Sequence, residues 1–376
     1  MLIPFILCFF LSMAYAALMF AYRHGWEQQP VFKTNGSRPK TSISIIIPAR
    51  NEEANIEACI SSILAQNYPG DFFEVIVIND HSTDNTVSVV ESFDHPNVRC
   101  IDLPLQQVEV IAFKKAALAL GISKSRGELI LTTDADCIAP AHWLKYIAAI
   151  YEEQKPVMIV APVDFTSDGS LVQTFQSLDF MSMQGITAAV HRLKLGNMCN
   201  GANLAFSKEA YHTVDGYKDI DHLASGDDFL LMTKFQKNYP GRISYLKSPY
   251  AIVRTAPQPD WFSFFQQRIR WASKSGKYDD KKMTAMLAFV YLFNLSFLVL
   301  FVMAIFKPFF WFVLLLMLVF KTISEIYYLD PVAGFFGKAK QLRIFPLLQP
   351  LHIAYVISAG FLGMIGKYQW KGRAVR

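Results

Sequence analysis

The chain has 376 residues, 52% of them hydrophobic, 14% aromatic and 18% charged, with a formal net charge of +5. A mean hydropathy of +0.24 is too apolar for an ordinary soluble protein, and the charged fraction is too high for a bundle of membrane helices alone. The excess of positive charge sits beside apolar runs, at Arg23, Lys33, Arg38 and Lys40 and again at Lys274, Lys277, Lys281 and Lys282, which marks membrane flanks and leaves no basic stripe for nucleic acid.

Residues 2–22 are uncharged and long enough to cross a bilayer. A cleaved signal peptide competes, because Ala14-Tyr15-Ala16 resembles a cleavage site, but its basic leading region is missing. Read as an anchor over residues 1–24, the segment has its amino end outside and Arg23 onwards inside. Residues 41–258 then alternate strand-like and helix-like patterns, the mark of an α/β domain. The five cysteines show no CxxC pair and no metal spacing, which points to a reduced, cytosol-facing domain.

Within that domain Ser42 to Pro48 is a β-branched run, followed by Ala49-Arg50-Asn51-Glu52-Glu53 and a helix carrying Ile56, Ile60, Ile63 and Leu64 on one face. Glu74 to Asn79 is a second strand ending in Asp80-His81-Ser82-Thr83-Asp84, where Asp80 and Asp84 either cap the next helix or join a site. A third strand, Val98 to Asp102, and a helix through Lys114 to Leu120 lead to Leu129–Thr133, a central strand that ends in Asp134-Ala135-Asp136. Side chains two apart on a strand share a side, so both carboxylates project together from its carboxyl end. Ligands of open α/β sheets bind at such ends, and a carboxylate pair suits Mg²⁺ or Mn²⁺ carrying a diphosphate. The same spacing at Asp219 and Asp221 has no strand before it.

Further along, Trp143 to Tyr151 reads as a helix, Val157 to Val163 as a strand, Leu171 to Val190 as a long helix and Asn200 to Asn203 as a tight polar turn. Gly226-Asp227-Asp228 opens a helix, where acids are favoured by the helix dipole alone. His81, His191, His212 and His222 have no ligand spacing. Residues 259–282 interleave Trp261, Phe262, Phe264, Phe265, Ile269 and Trp271 with Gln266, Gln267, Arg268, Arg270, Lys274 and Lys277, the pattern of an amphipathic segment at a membrane surface. The remainder, 283–376, is a transmembrane region: Met283 to Phe306 is apolar throughout, Pro308 to Phe320 is shorter and meets Lys321 and Glu325, and Ile344 to Gly366 is the last candidate. The basic tail, with Lys367, Lys371, Arg373 and Arg376, leaves the number of crossings open.

Taken in order, Ile45 to Glu52, Asn79 to Asp84, Lys114 with Ala117-Leu118, Asp134-Ala135-Asp136, Gly226-Asp227-Asp228 and Gln267-Arg268-Ile269-Arg270-Trp271 resemble the signature of membrane-bound family 2 glycosyltransferases. That family includes cellulose, chitin and hyaluronan synthases and ceramide glucosyltransferases, which carry a similar Gln-x-x-Arg-Trp motif. The resemblance covers residues 43–271 and implies a GT-A (Rossmann-like) glycosyltransferase domain flanked by transmembrane helices. It also implies roles. Pro48, Ala49, Arg50, Glu52 and Asp80 line the nucleotide base and ribose, with Lys114 nearby. Asp134 and Asp136 hold the sugar and a diphosphate bound to Mg²⁺ or Mn²⁺. Asp228 is the general base, with Asp227 where the family usually has Glu, and Gln267, Arg268, Arg270 and Trp271 attend the acceptor and diphosphate. Asn79 stands where the family often has Asp, and His81 where it often has Gly.

The implied reaction moves a sugar from a nucleotide sugar, a UDP-sugar being favoured, to a hydroxyl of a lipid or growing glycan. Cleaving the anomeric bond leaves charge on the diphosphate, so a cation and side chains such as Arg268 or Arg270 are needed there. The acceptor is an alcohol, and one carboxylate taking its proton suffices for inversion. A membrane-anchored nucleotidyltransferase could share the sheet and metal site without needing the Gln267-to-Trp271 motif, and an inactive scaffold could keep the fold. The expected location is a cell (inner) membrane, if the source is bacterial, with the catalytic domain in the cytosol.

Overall fold

The computed structural model describes residues 2–36, 38–104, 112–223, 226–273, 281–365, 368–370 and 373–375. Lys274, Lys277, Lys367, Lys371 and Arg376 lie outside the described residues. The chain divides into two units: Pro30–Thr166 with Met198–Ala256, and Met1–Gln29 with Ser167–Asn197 and Pro257–Arg376.

Among the described residues the first unit contains ten strands: β1 (Ile43–Ala49), β2 (Phe73–Asn79), β3 (Val98–Asp102), β4 (Leu129–Thr132), β5 (Cys137–Ile138), β6 (Met158–Val160), β7 (Val163–Phe165), β8 (Leu204–Ser207), β9 (Ile243–Tyr245) and β10 (Val253–Thr255). Seven of them form one sheet in the order β3-β2-β1-β4-β8-β6-β9. Strands β1 to β4 run parallel, β8 is antiparallel to β4 and β6, and β9 is parallel to β6. Ile45, Ile46 and Ile47 of β1 and Val75 to Ile78 of β2 are wholly buried. Strands covered on both faces are recognisable as unbroken apolar runs for that reason.

The covering helices in this unit are α2 (Ile56–Leu64), α3 (Thr86–Glu91), α4 (Phe113–Lys124), α5 (Trp143–Gln154), α7 (Lys208–Thr213) and α8 (Asp227–Asn238). Helix α4 lies so close to β1 and β2 that a Cβ on Gly121 would fall 2.5 Å from Ile46 Cγ2; only glycine permits that approach. Because β1, β2 and β4 are parallel and in register, with Ala49 beside Asn79 and Ile46 beside Thr132, their carboxyl ends share one edge. Arg50, Asp80 and Asp134 follow directly from that edge.

A smaller sheet runs β5-β10-β7, its strand β5 coming directly after the Asp134–Asp136 turn. The stretch expected to be one strand from Val157 to Val163 is instead two, with β6 in the large sheet and β7 paired to β10. Pro162 divides them, since proline has no N–H to give to a ladder.

The second unit contains α1 (Leu2–Gln28), α6 (Leu171–Leu193), α9 (Trp261–Ala272), α10 (Lys281–Phe306), α11 (Phe309–Phe335) and α12 (Phe345–Ile365). Among the described residues, four stretches are long and apolar enough to cross a membrane: Phe5–Gln28, Lys281–Phe306, Phe309–Phe335 and Ala339–Met364. Helix α11 continues through Lys321 and Glu325, where the sequence pattern made its span doubtful. The two are one turn apart and pair at 2.7 Å, with Lys321 fully buried. Lys321 Nζ also donates to Gln349 Oε1 of α12 at 2.7 Å, and the hydroxyl of Tyr15 on α1 donates to Glu325. Buried charges of this kind are tolerated when each finds a partner. Helices α1 and α6 meet at Gly25, where a Cβ would lie 2.8 Å from the Ala189 carbonyl oxygen.

Candidate active site

Two loops leave the shared sheet edge and fasten to each other. Arg50 Nη1 donates to the carbonyl oxygens of Asp80 at 2.8 Å and His81 at 3.2 Å. Asn51, at a φ of 52°, accepts from the Thr83 N–H at 2.8 Å, and the Glu52 N–H donates to Thr86 Oγ1 at 2.8 Å. Asp80 is buried beside His81, whose Nδ1 lies 3.1 Å from its carboxylate. Asn79 donates to Asp102 at 2.7 Å while its oxygen accepts from the Ser82 N–H at 2.9 Å. An ionised Asp at position 79 could only accept, which accounts for this departure from the family pattern. Asp84 is committed locally. Desolvation works to raise its carboxyl, but hydrogen bonds from Thr86 and Glu53 outweigh it and hold it below the usual range. Asp84 therefore serves the start of α3.

Asp134-Ala135-Asp136 forms the turn between β4 and β5, closed by the Cys137 N–H donating to the Asp134 carbonyl at 3.1 Å. Pairing of Cys137 with Thr255 on β10 holds the far side of this turn. Burial, then the negative charges of Asp134 and Glu52, push the Asp136 carboxyl up to about 6; the Thr255 hydroxyl, a partner the sequence gave no sign of, pulls the other way. Lys114, in the first turn of α4, donates to Asp134 Oδ1 at 2.6 Å and lies 3.7 Å from Asp227 Oδ2. Burial alone would lower this ammonium, but Asp134 and Asp227 outweigh it and raise Lys114 well above its ordinary value.

Lys114 thereby brings the start of α8 to the Asp-x-Asp turn. Gly226 enters that helix at a φ of 79°. Asp228 Oδ2 accepts from the Gly201 N–H at 3.0 Å, and its Oδ1 from the Phe229 N–H at 2.8 Å. Behind Gly201 the fully buried Asn203 ties three segments: its oxygen accepts from Trp143 Nε1 at 2.9 Å, and its amide donates to the carbonyls of Pro162 at 2.7 Å and Ala251 at 2.8 Å. The sequence shows Asn203 only as part of a polar turn.

Gln267, Arg268, Arg270 and Trp271 belong to α9 of the second unit. Asp260 caps that helix by accepting from the Ser263 N–H at 2.9 Å. Arg268 is buried, and its Nη2 faces Asp179 Oδ2 of α6 at 2.8 Å as an ion pair. Its guanidinium carbon stands 4.1 Å from the Trp271 ring centroid. Arg270, two residues on and therefore turned by more than half a revolution, is only half-buried.

Among the described residues no group of three or more His, Cys, Asp or Glu is placed to hold a metal. The donor set still fits one. Asp134 and Asp136 are two close carboxylates, and Asp136 is short of positive charge; Mg²⁺ and Mn²⁺ commonly take one or two carboxylates and complete their shell with phosphate oxygens and water.

A largely parallel sheet that turns antiparallel at β8, with Asp-x-Asp at the carboxyl end of β4, defines a Rossmann-like α/β domain of the GT-A class. Residues 44–214 match the model of glycosyl transferase family 2, and the chain thus carries a family 2 glycosyltransferase domain. It is 26% identical over 190 residues to the glycosyltransferase AglE of Haloferax volcanii, covering 50% of this chain and 58% of that protein. It is 25% identical over 232 residues to a poly-beta-1,6-N-acetyl-D-glucosamine synthase of Staphylococcus epidermidis, covering 61% and 53%. The chain therefore spans little more than half the length of these relatives. The solved structure of the mannosyltransferase PcManGT from Pyrobaculum calidifontis, in complex with GDP-Man and Mn²⁺, shares the fold with a TM-score of 0.57 at 18% identity, over 96% of this chain and 99% of that one.

Proposed function

We propose that this protein is an inverting glycosyltransferase that moves a sugar from a nucleoside-diphosphate sugar to a hydroxyl of a lipid or growing glycan at a membrane. The observation that carries this reading is Lys114, which joins the Asp134 carboxylate to Asp227 at the head of α8 and so gathers a diphosphate-type site and a candidate base in one place. Pro48, Ala49, Arg50, Glu52 and Asp80 lie in or beside the two interlocked loops after β1 and β2 and line the nucleoside in this reading. The GDP-Man bound by the structural neighbour supports a nucleotide-sugar donor. UDP is the nucleotide we favour.

Asp134 and Asp136 would hold Mg²⁺ or Mn²⁺, which supplies a counter-charge for the departing diphosphate. Lys114 adds a fixed ammonium beside the same phosphates. Asp228 takes the proton of the acceptor hydroxyl as it attacks the face of the sugar opposite the diphosphate, giving net inversion. By the resemblance of the Gln-x-x-Arg-Trp motif, Gln267, Arg270 and Trp271 are assigned to the acceptor side in this reading. The catalytic unit faces the cytosol, where nucleotide sugars are made, and the apolar helices cross a cell membrane.

The test is a donor screen. Membranes containing the protein are given Mn²⁺ and labelled UDP-glucose, UDP-N-acetylglucosamine or GDP-mannose, and lipid and polymer fractions are counted. Label should enter one fraction from one donor. No label in either fraction, together with no binding of UDP·Mn²⁺ to the purified protein, would overturn the reading.

A further inference from the structure

The Gln-x-x-Arg-Trp segment contains two arginines, and the structure treats them differently. Arg268 is 2% exposed and its ion-pair partner Asp179 is 7% exposed, whereas Arg270 is half-buried. The Arg268 guanidinium is approached from several sides. Asp179 of α6 faces one nitrogen at 2.8 Å, and Gln267 Oε1 accepts from another at 3.1 Å. Its central carbon lies 4.1 Å from the Trp271 centroid and 4.9 Å from that of Phe264. His352 of α12 approaches the other Asp179 oxygen at 3.8 Å. All these residues belong to one unit.

Burying an ion pair is a poor way merely to stick helices together, since a hydrophobic pair of similar volume often does as well or better. What the pair adds is direction. A planar guanidinium fixed on one edge by a carboxylate presents its face at a set angle to an aromatic ring.

We propose that Asp179 is a positioning residue, which by fixing Arg268 sets the orientation of Trp271 and Gln267 and with them the transfer-competent geometry of the motif. This rests on the reading above that the motif closes the acceptor side. Arg268 then acts through Trp271 and Gln267.

The test uses the full chain in nanodiscs and the variants Asp179→Asn, which keeps shape but removes the charge, and Asp179→Glu, which restores it. Amide exchange in residues 264–271 should rise by about tenfold or more in Asp179→Asn and return towards wild type in Asp179→Glu. Transfer kcat should fall by roughly ten- to a hundredfold in Asp179→Asn and recover in Asp179→Glu, the scale expected from a misplaced positioning element. The KM for the nucleotide sugar should stay within about twofold. Wild-type exchange across α9, unchanged kcat, or a Glu variant no better than the Asn variant overturns the proposal. If Asp179→Asn does not fold, the double variant Asp179→Asn/Arg268→Gln, which leaves no uncompensated charge, is read in its place. If the wild type transfers no sugar from any donor, glycosyl transfer is what fails, and the exchange arm alone decides whether Asp179 positions α9.

Discussion

Lys114 Nζ stands 2.6 Å from Asp134 Oδ1, so the carboxylate we propose to hold a metal-bound diphosphate already has a cation against it. That ammonium should act in opposite directions on two ligands. Bare Mn²⁺ is repelled by it, while the anionic UDP·Mn²⁺ complex is attracted. Lys114→Met is therefore expected to tighten bare Mn²⁺ binding and weaken UDP·Mn²⁺ binding, each by about tenfold, or about 1.4 kcal/mol. Electron paramagnetic resonance titration of Mn²⁺ with and without UDP reads both. Equal weakening of the two would mean that Lys114 only maintains the shape of the site.

Asp136 predicts a pH dependence. Its carboxyl is raised to about 6 by burial and by Asp134 and Glu52, so the native state binds this proton more tightly than the unfolded chain does. The associated stability is full at low pH and lost as pH rises through about 6. A bound divalent ion neutralises the new charge, so the stabilisation by Mn²⁺ should grow across the same interval. Thermal unfolding with and without Mn²⁺ at pH 5 and pH 7.5 measures it. Asp136→Asn should flatten the difference, and an unchanged pH profile in that variant would assign the effect to another group.

The parallel half of the sheet was legible because β1, β2 and β4 are buried on both faces and read as apolar runs. The carboxylates at the ends of β2 and β4 followed from those strands. The division at Pro162 was readable in principle, since a proline within an apolar run argues against one continuous strand. Other features depend on partners far along the chain. Lys321 and Glu325 look like the end of an apolar span until Gln349 and Tyr15 are seen around them. Arg268 and Arg270 are the same residue type two positions apart, and only Asp179, some ninety residues earlier, tells them apart. Asn203 has no distinguishing sequence pattern, because its three partners come from three separate segments.

Asn203 should also be costly to replace. In Asn203→Ala the Trp143 indole N–H and the Ala251 carbonyl lose their partners inside the core, while the Pro162 carbonyl keeps the Val253 N–H at 3.1 Å. Each unsatisfied buried group is worth about 1–3 kcal/mol. We expect about 2–4 kcal/mol of destabilisation, allowing for partial relaxation. Denaturant unfolding of the catalytic unit in the full chain checks this; a loss below about 0.5 kcal/mol, the range of ordinary surface substitutions, would show that the network is dispensable.

Membrane topology is testable at Glu153, an exposed residue of α5. On the proposed cytosolic orientation, which the basic residues beside the apolar helices support, a cysteine introduced there should react with a membrane-impermeant maleimide only after lysis. Labelling of Glu153→Cys in intact cells, above the parent chain's own cysteines, would put this unit on the wrong side for nucleotide sugars.

Asp228 offers the sharpest division between chemistry and architecture. Its carboxylate accepts from the backbone N–H groups of Gly201 and Phe229, so it helps hold the turn before β8 against the start of α8 whether or not it takes a proton. Asp228→Asn keeps the size and one accepting oxygen but turns the other position into a donor facing an N–H. The architectural loss should be about 1 kcal/mol. If Asp228 is the general base, the same change should lower transfer by roughly 10²- to 10⁴-fold, the usual worth of such catalysis. Affinity for UDP·Mn²⁺ should change little, since Asp134, Asp136 and Lys114 are untouched. Donor affinity, single-turnover transfer and thermal stability measured on one preparation separate the two roles. Near-normal single-turnover transfer by a folded Asp228→Asn protein would move the base assignment to Asp227. Asp227 also lies at the head of α8, with the Lys114 ammonium 3.7 Å from its carboxylate.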